Sequence, residues 1–366
     1  MEFNKDLIYK IIDNKIDKIR LQHLNEQELN TLYHALNLNH SLKILNLSYN
    51  KKIKDITLLC KCLENNSCLK KLYLYDNNIE DITPLKFLSN YCLKELDLSN
   101  NNIEDITPIK YLSNSSLKKL KLNINQIKDI TPLKCLEHNS CLKILDLSGN
   151  QIENIIPLKF LSNSCLKELD LSDNQIKDIT PLKYLSNSCL QDLWLSSNKI
   201  EDIIPLKFLE NNSYLNYLNL DNNQIKDISP IKFVSNSCLK TLCLNNNQIE
   251  DVSPLKYLSN SCLKTLCLSR NQIKDITSLK FLSNSCLKEL HLSDNKIEDI
   301  IPLKFLSNSC LKYLDLYKNK IKDISPLKYL LNSCLEILDL KYNQINYQDE
   351  QKLIKLAGLK QIELYI

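Results

Sequence analysis

Cys243, Cys267 and His291 each sit between two leucines, at intervals of 24 residues. Thiol and imidazole are ligand types that zinc prefers, and together they also supply a nucleophile and its base. Both chemistries need side chains that converge. Groups repeated at one fixed spacing point in parallel, and no CxxC accompanies these three. The remaining histidines, His23, His34, His40 and His138, are scattered. Gly149 and Gly358 are the only glycines, which leaves no glycine-rich phosphate loop. No catalytic residue, no cofactor and no metal are therefore expected, with a metal site at Cys243/Cys267/His291 kept as a minor alternative.

A second set suits recognition better. Glu95, Asp97, Asp146, Glu168, Asp170 and Asp192 form an acidic band broken by Lys119 and Lys121, and Trp194, the single tryptophan, and Tyr217 follow it. Tyr73, His291 and Tyr313 occupy equivalent positions. An aromatic pair beside charge is the composition of an interaction hot spot. The rival explanation is a plain solvated face.

The elements that must position these residues come from a repeat. An L-x-x-L-x-L-x-x-N unit places its asparagine at Asn50, Asn77, Asn101, Asn125, Asn150, Asn174, Asn198, Asn223, Asn247, Asn271, Asn295, Asn319 and Asn343, 27 residues apart at first and 24 or 25 thereafter. In the Cys165 unit, Leu169-Asp170-Leu171 alternates as a short strand does. Thr180 and Pro181 suit the start of a short helical or 3₁₀ segment, and Ser186-Asn187-Ser188 returns the chain. Burying about eight aliphatics yields ~12–24 kcal/mol per coil. Ordering the coil costs roughly 24–48 kcal/mol of backbone entropy. Coils must therefore stack, with parallel strands side by side. The repeated asparagine amide is suited to satisfying interior turn groups.

This unit resembles the leucine-rich-repeat superfamily over roughly residues 42–345. Its NxIxDIxPLKxL half is most similar to the short-repeat class that includes bacterial internalins and the nuclear regulatory subunit of protein phosphatase 1. The resemblance implies an α/β leucine-rich-repeat solenoid, a curved horseshoe with a parallel β-sheet on the concave face and short helical or 3₁₀ segments on the convex face. The candidate set then lies on the concave strands, as a non-enzymatic protein–protein interaction module. A regulatory subunit of an enzyme such as a protein phosphatase is the alternative that the resemblance suggests.

Residues 1–41 read as an N-terminal helical cap, with Asn25 to Glu28 opening a helix that buries Leu29, Leu32 and Leu36. About 13 repeats fill 42–345. Residues 346–366 read as a C-terminal cap, with a helix over 349–357, a stop at Gly358 and a last strand through Ile362 and Leu364.

Four further columns follow the period. Ten of the 15 cysteines precede the strands, in runs too irregular and too widely spaced (~4.8 Å) for full pairing, and are expected as small buried thiols. That places the chain in a reducing, intracellular compartment, cytoplasmic or nuclear. Charges alternate from Glu104 and Lys128 to Glu298 and Lys322, predicting ion pairs between coils. The aromatic column from Phe87 to Tyr329 is expected as a packed spine, and the lysine of each PLK is expected to answer the Asp81–Asp323 column. A net charge of +4 gives no strong field for nucleic acid or an anionic membrane, and no apolar run spans a bilayer. The N-terminus shows no secretory signal. The expectation is a monomer that binds a basic or mixed-charge protein segment.

Overall fold

Each coil opens with a strand of three residues whose central leucine is buried and whose flanking side chains point away from the core. The computed structural model describes residues 3–88, 92–235, 237–259, 261–283, 285–307, 309–331 and 333–366. It divides into two units, residues up to 176 with 187–190, and residues 177–186 with 191–366. Each unit is a solenoid.

In the first unit the strands are β1 (Lys18–Arg20), β2 (Ile44–Asn46), β3 (Lys71–Tyr73), β4 (Glu95–Asp97), β5 (Lys119–Lys121), β6 (Ile144–Asp146) and β7 (Glu168–Asp170). They pair in parallel in chain order, with Leu45, Leu72, Leu96, Leu120, Leu145 and Leu169 in register. In the second unit β8 (Asp192–Trp194), β9 (Tyr217–Asn219), β10 (Thr241–Cys243), β11 (Thr265–Cys267), β12 (Glu289–His291), β13 (Tyr313–Asp315), β14 (Ile337–Asp339) and β15 (Glu363–Tyr365) do the same. A slip of one residue would turn every leucine outward, so the buried face sets the register.

The repeated asparagine closes each strand's turn. Asn101 Nδ2 donates to Leu98 O (2.9 Å) and to Leu74 O of the preceding coil (3.0 Å), while its Oδ1 accepts from Ile79 N (3.0 Å). The same contacts recur at Asn125 and Asn247. These amides are buried, where an unpaired backbone group would cost about 1–3 kcal/mol.

Opposite the strands, most coils carry a 3₁₀ segment such as Thr107–Leu112 or Thr180–Leu185, with proline near its start. The cap is the aspartate two residues earlier: Asp178 Oδ1 accepts from Thr180 N at 2.8 Å, and Asp105 serves Thr107 at 2.7 Å. Thr180 thus receives the cap rather than providing it. This use of the aspartates corrects the expected pairing with the PLK lysines. Those lysines instead lie over the neighbouring ring, as Lys280 Nζ does 5.1 Å from the Phe281 centroid and Lys159 5.1 Å from that of Phe160. A short PLK-aromatic span brings the ammonium over its own ring face, where attraction to the π cloud needs no long reach.

Three other expectations are corrected. The aromatic column is a surface row, half-buried at Phe87 and exposed at Tyr257 and Tyr329, because the aliphatics on either side already fill the interior. The column cysteines are half-buried at Cys68, Cys92, Cys141 and Cys189 and exposed at Cys165, Cys238, Cys262, Cys286, Cys310 and Cys334. Among the described residues no ion pair joins members of the alternating charge column; the nearest relation is Lys320 Nζ, from outside it, at 3.9 Å from Glu298. Exposed pairs of this kind gain too little to hold two long side chains in place.

Before the first regular coil come α1 (Lys5–Ile12) and α2 (Glu26–Asn37), on either side of β1, and α2 opens with a capping box between Asn25 and Glu28. The first regular coil carries a true helix, α3 (Thr57–Cys62). After Asn346, α4 (Tyr347–Lys360) runs through Gly358 and stops at Gln361, whose φ of 58° makes the left-handed turn. Its C-terminus lies beyond the expected glycine because the stop comes from that turn. Strand β15 then ends the sheet with Leu364 only half-buried.

Candidate protein-interaction face

The outward positions of the strands carry the candidate residues, since alternation sends the first and third side chains of each strand away from the core. All of them are half-buried. In the first unit, Tyr73, Glu95, Asp97, Asp146, Glu168 and Asp170 occupy β3, β4, β6 and β7. In the second, Asp192, Trp194, Tyr217, His291 and Tyr313 occupy β8, β9, β12 and β13.

Much of the acidic band is already engaged. Lys71 Nζ lies 2.8 Å from Glu95, and the Tyr73 hydroxyl donates to the same carboxylate. Burial pushes the Glu95 carboxyl up, but hydrogen bonds from Lys71 and Tyr73 and the charges of Lys71 and Lys119 outweigh it and hold it below the usual range. Asp97 accepts from Ser99 N (3.0 Å) and Ser99 Oγ (2.6 Å), and Lys121 Nζ stands 3.8 Å from Asp146. Asp170 stands among like charges. Burial, with repulsion from Asp146 and Asp173, raises its carboxyl above the ordinary range, although Ser172 N donates to it at 2.9 Å.

The second unit gathers its aromatic groups. The Trp194 and Tyr217 rings stack with centroids 5.4 Å apart, tilted by 40°. Asn219 Nδ2 donates to the Tyr217 hydroxyl at 3.4 Å, and the Cys243 sulfur lies 4.0 Å from that oxygen. Burial, then the neighbouring Cys243, pushes the Tyr217 phenol up to about 12. Asp192 accepts from Asn216 Nδ2 at 2.7 Å. Farther along, the His291 and Tyr313 rings lie 4.9 Å apart, with His291 Nε2 3.9 Å from Glu289.

Cys243, Cys267 and His291 do stand on the adjacent strands β10, β11 and β12. Among the described residues, no three His, Cys, Asp or Glu side chains are placed to hold a metal ion. Sequence reasoning passed over Asp221, which lies two residues beyond β9. Its carboxylate accepts from Asn245 N (2.6 Å) and Nδ2 (3.2 Å), and burial raises it despite those bonds and the His291 charge. The clue available in the sequence was that this column, like the strand positions, varies from coil to coil: Ser172, Ser196, Asp221, Asn245.

Models of leucine-rich repeats match the chain repeatedly. A two-copy model matches residues 69–111, 141–184, 165–211, 215–257, 239–284, 263–308 and 287–329, and single models match 93–152, 38–56 and 331–348. No curated protein sequence matches significantly. Among solved structures, an internalin (inlF) from Listeria monocytogenes is 27% identical over 99% of this chain and 94% of its own, with a TM-score of 0.70. A repeat protein from Leptospira interrogans shares the fold over the full length of both chains at 22% identity, with a TM-score of 0.73. TLR13, solved as a complex with an ssRNA, is 21% identical over 96% of this chain and 62% of its own, with a TM-score of 0.60. Among the described residues, no helix is long and apolar enough to cross a membrane.

Proposed function

The chain belongs to the leucine-rich-repeat family, and from that premise we propose that it is a non-enzymatic protein-binding module whose partner docks on the strand-lined face. The observation that carries this reading is the Trp194–Tyr217 stack, two large rings held half-buried on short, rigid strands. Aromatic side chains bury large area while ordering few torsions, so a stacked and supported pair makes an efficient anchor. In the first unit, Asp146, Glu168 and Asp170 favour a basic or mixed-charge protein segment. Tyr73, Glu95 and Asp97 are tied to their neighbours and would contribute shape more than charge. Asp192, His291 and Tyr313 would extend the docking face of the second unit.

The same reading takes residues 1–41 and 346–366 as terminal caps on repeats running from 42 to 345, in a chain that acts as a monomer. All its cysteines are free thiols, which favours a reducing compartment. A regulatory-subunit role rests on family resemblance alone.

Trp194 supplies its own reporter, as the single tryptophan. Affinity capture followed by titration of the recovered protein should shift Trp194 emission to the blue, and Trp194→Ala should weaken binding by roughly 30-fold or more, the usual scale for a central aromatic anchor (about 2 kcal/mol). Phe281→Ala, on the 3₁₀ side, serves as the control and should bind like the wild type. Equal binding by the Trp194 variant, or an RNA recovered in place of protein, would count against the proposal.

A further inference from the structure

Cys243 and Cys267 differ from every other cysteine here in occupying partnered positions on adjacent strands, Cα opposite Cα in β10 and β11. Both face outward from the leucine core, yet both are nearly covered, at 7% and 9% exposure. Neighbouring parallel strands hold their Cα atoms ~4.8 Å apart, inside the 4.4–6.8 Å that a disulfide spans. The Cβ atoms need to close by about 1 Å to reach the disulfide spacing.

The surroundings assign the two thiols different roles. Cys267 faces Cys243 across the paired strands, and the Tyr217 hydroxyl stands 4.0 Å from the Cys243 sulfur on the other side. The neighbouring Cys267, helped by Tyr217, lowers the Cys243 thiol against the opposing effects of burial and Asp221. Cys267 is pushed the other way by the adjacent Cys243 sulfur and by burial. A sulfur stabilised as thiolate is the nucleophile of such a pair.

We propose that Cys243 and Cys267 form a peroxide-sensitive dithiol site, with Cys243 as the sulfur attacked first and Cys267 as the resolving thiol. The Cys243 sulfur takes one oxygen of hydrogen peroxide as the O–O bond breaks, and the departing hydroxide leaves as water with the Cys243 proton. The Cys267 sulfur then attacks the Cys243 sulfenic sulfur, the S–O bond breaks, and a second water leaves with the Cys267 proton. Two electrons pass from the thiol pair to the peroxide, and one disulfide is formed. The site does not depend on the partner-binding reading.

Peptide mapping decides it, because trypsin places Cys243 alone on residues 241–256 and Cys267 alone on 265–270. The full-length reduced protein is treated with one equivalent of hydrogen peroxide, blocked with N-ethylmaleimide in denaturant and digested. The expected product is 241–256 joined to 265–270, two hydrogens lighter than the sum and released by dithiothreitol. It should exceed any cross-link through the exposed Cys238, Cys262 or Cys286 by roughly tenfold. In Cys267→Ser, dimedone should trap a sulfenic acid at Cys243. In Cys243→Ser, the Cys267 peptide should stay unlabelled by dimedone. Both peptides recovered as maleimide adducts while the exposed cysteines cross-link, or dimedone on Cys267 in the Cys243 variant, would overturn the assignment. The wild-type map stands even where a variant fails to fold.

Discussion

Ile124 occupies a backbone conformation that β-branched residues avoid, with φ of 54° and about half its surface exposed. The equivalent turn residue is Asp76, Asn100, Asp173, Asn222, Asn246 or Asp294 in other coils and Gly149 in the next, types that tolerate the left-handed region; Tyr49, Ser197, Arg270, Lys318 and Tyr342 also hold it, but none of these is β-branched. Ile124→Asn is expected to stabilise the protein by about 1 kcal/mol, read as a higher urea midpoint at unchanged slope. An unchanged or lower midpoint would mean the strain is relieved elsewhere. Asp170 gives a pH-dependent case. Its carboxyl is raised in the folded state, so its contribution is fully present below the ordinary carboxylate value of about 4 and is lost as pH rises through the raised one. Asp170→Asn, which keeps an oxygen for Ser172 N, should therefore be more stable than the wild type at neutral pH, with the gain shrinking as pH falls toward about 3. A difference that does not change with pH would show that burial and the charges of Asp146 and Asp173 do not raise this carboxyl.

The 3₁₀ segments share one construction, an aspartate cap (Asn154 before Ile156–Leu161) followed by threonine, serine or isoleucine and then proline, and Thr277–Leu282 departs from it only by carrying Ser278 where its neighbours have proline. Asp275 still caps Thr277 N at 2.8 Å, so the segment starts in the same way. Proline at 278 should suit the existing backbone and remove freedom only from the unfolded chain. Ser278→Pro is expected to raise stability by about 0.5–1 kcal/mol in denaturant melts. Destabilisation would show that this segment's backbone differs from those beside it. Asparagine and proline positions were legible in the sequence because each has one structural use. The lysine and aspartate columns were misassigned to each other, because a surface ammonium has several partners of similar worth and only geometry chooses among them.

Because coils within a unit contact chiefly their neighbours, stability at the scale of the whole molecule should be a sum over coils and the interfaces between them. Deleting residues 239–262, one full period carrying β10 and the segment Ser253–Leu258, brings Leu263 to the place of Leu239 and keeps the phase. The shortened chain is expected to fold with the same far-UV circular dichroism per residue and a single, lower denaturation midpoint. A collapse of that signal would show that the second unit depends on contacts beyond adjacent coils. The two mostly polar ends follow the same logic. Strand β1, hidden in a segment with no visible repeat, still pairs in register through Ile19 with Leu45. Its pattern is three residues long and lacks the asparagine, too little signal to separate from chance.

The period of 24 or 25 residues, with leucines two apart and one asparagine per turn, was enough by itself to determine strand positions, register and the stacking of coils, since only one registration buries every leucine. Tertiary structure alone decided which outward side chains stay available. Asp97 turned to Ser99, the Glu95 carboxylate was taken up by Lys71 and Tyr73, and Trp194 leaned on Tyr217. Burial is a large, cooperative term that a one-dimensional pattern records. Choices among surface contacts differ by about 1 kcal/mol or less, and the distances that settle them exist only once the coils are stacked.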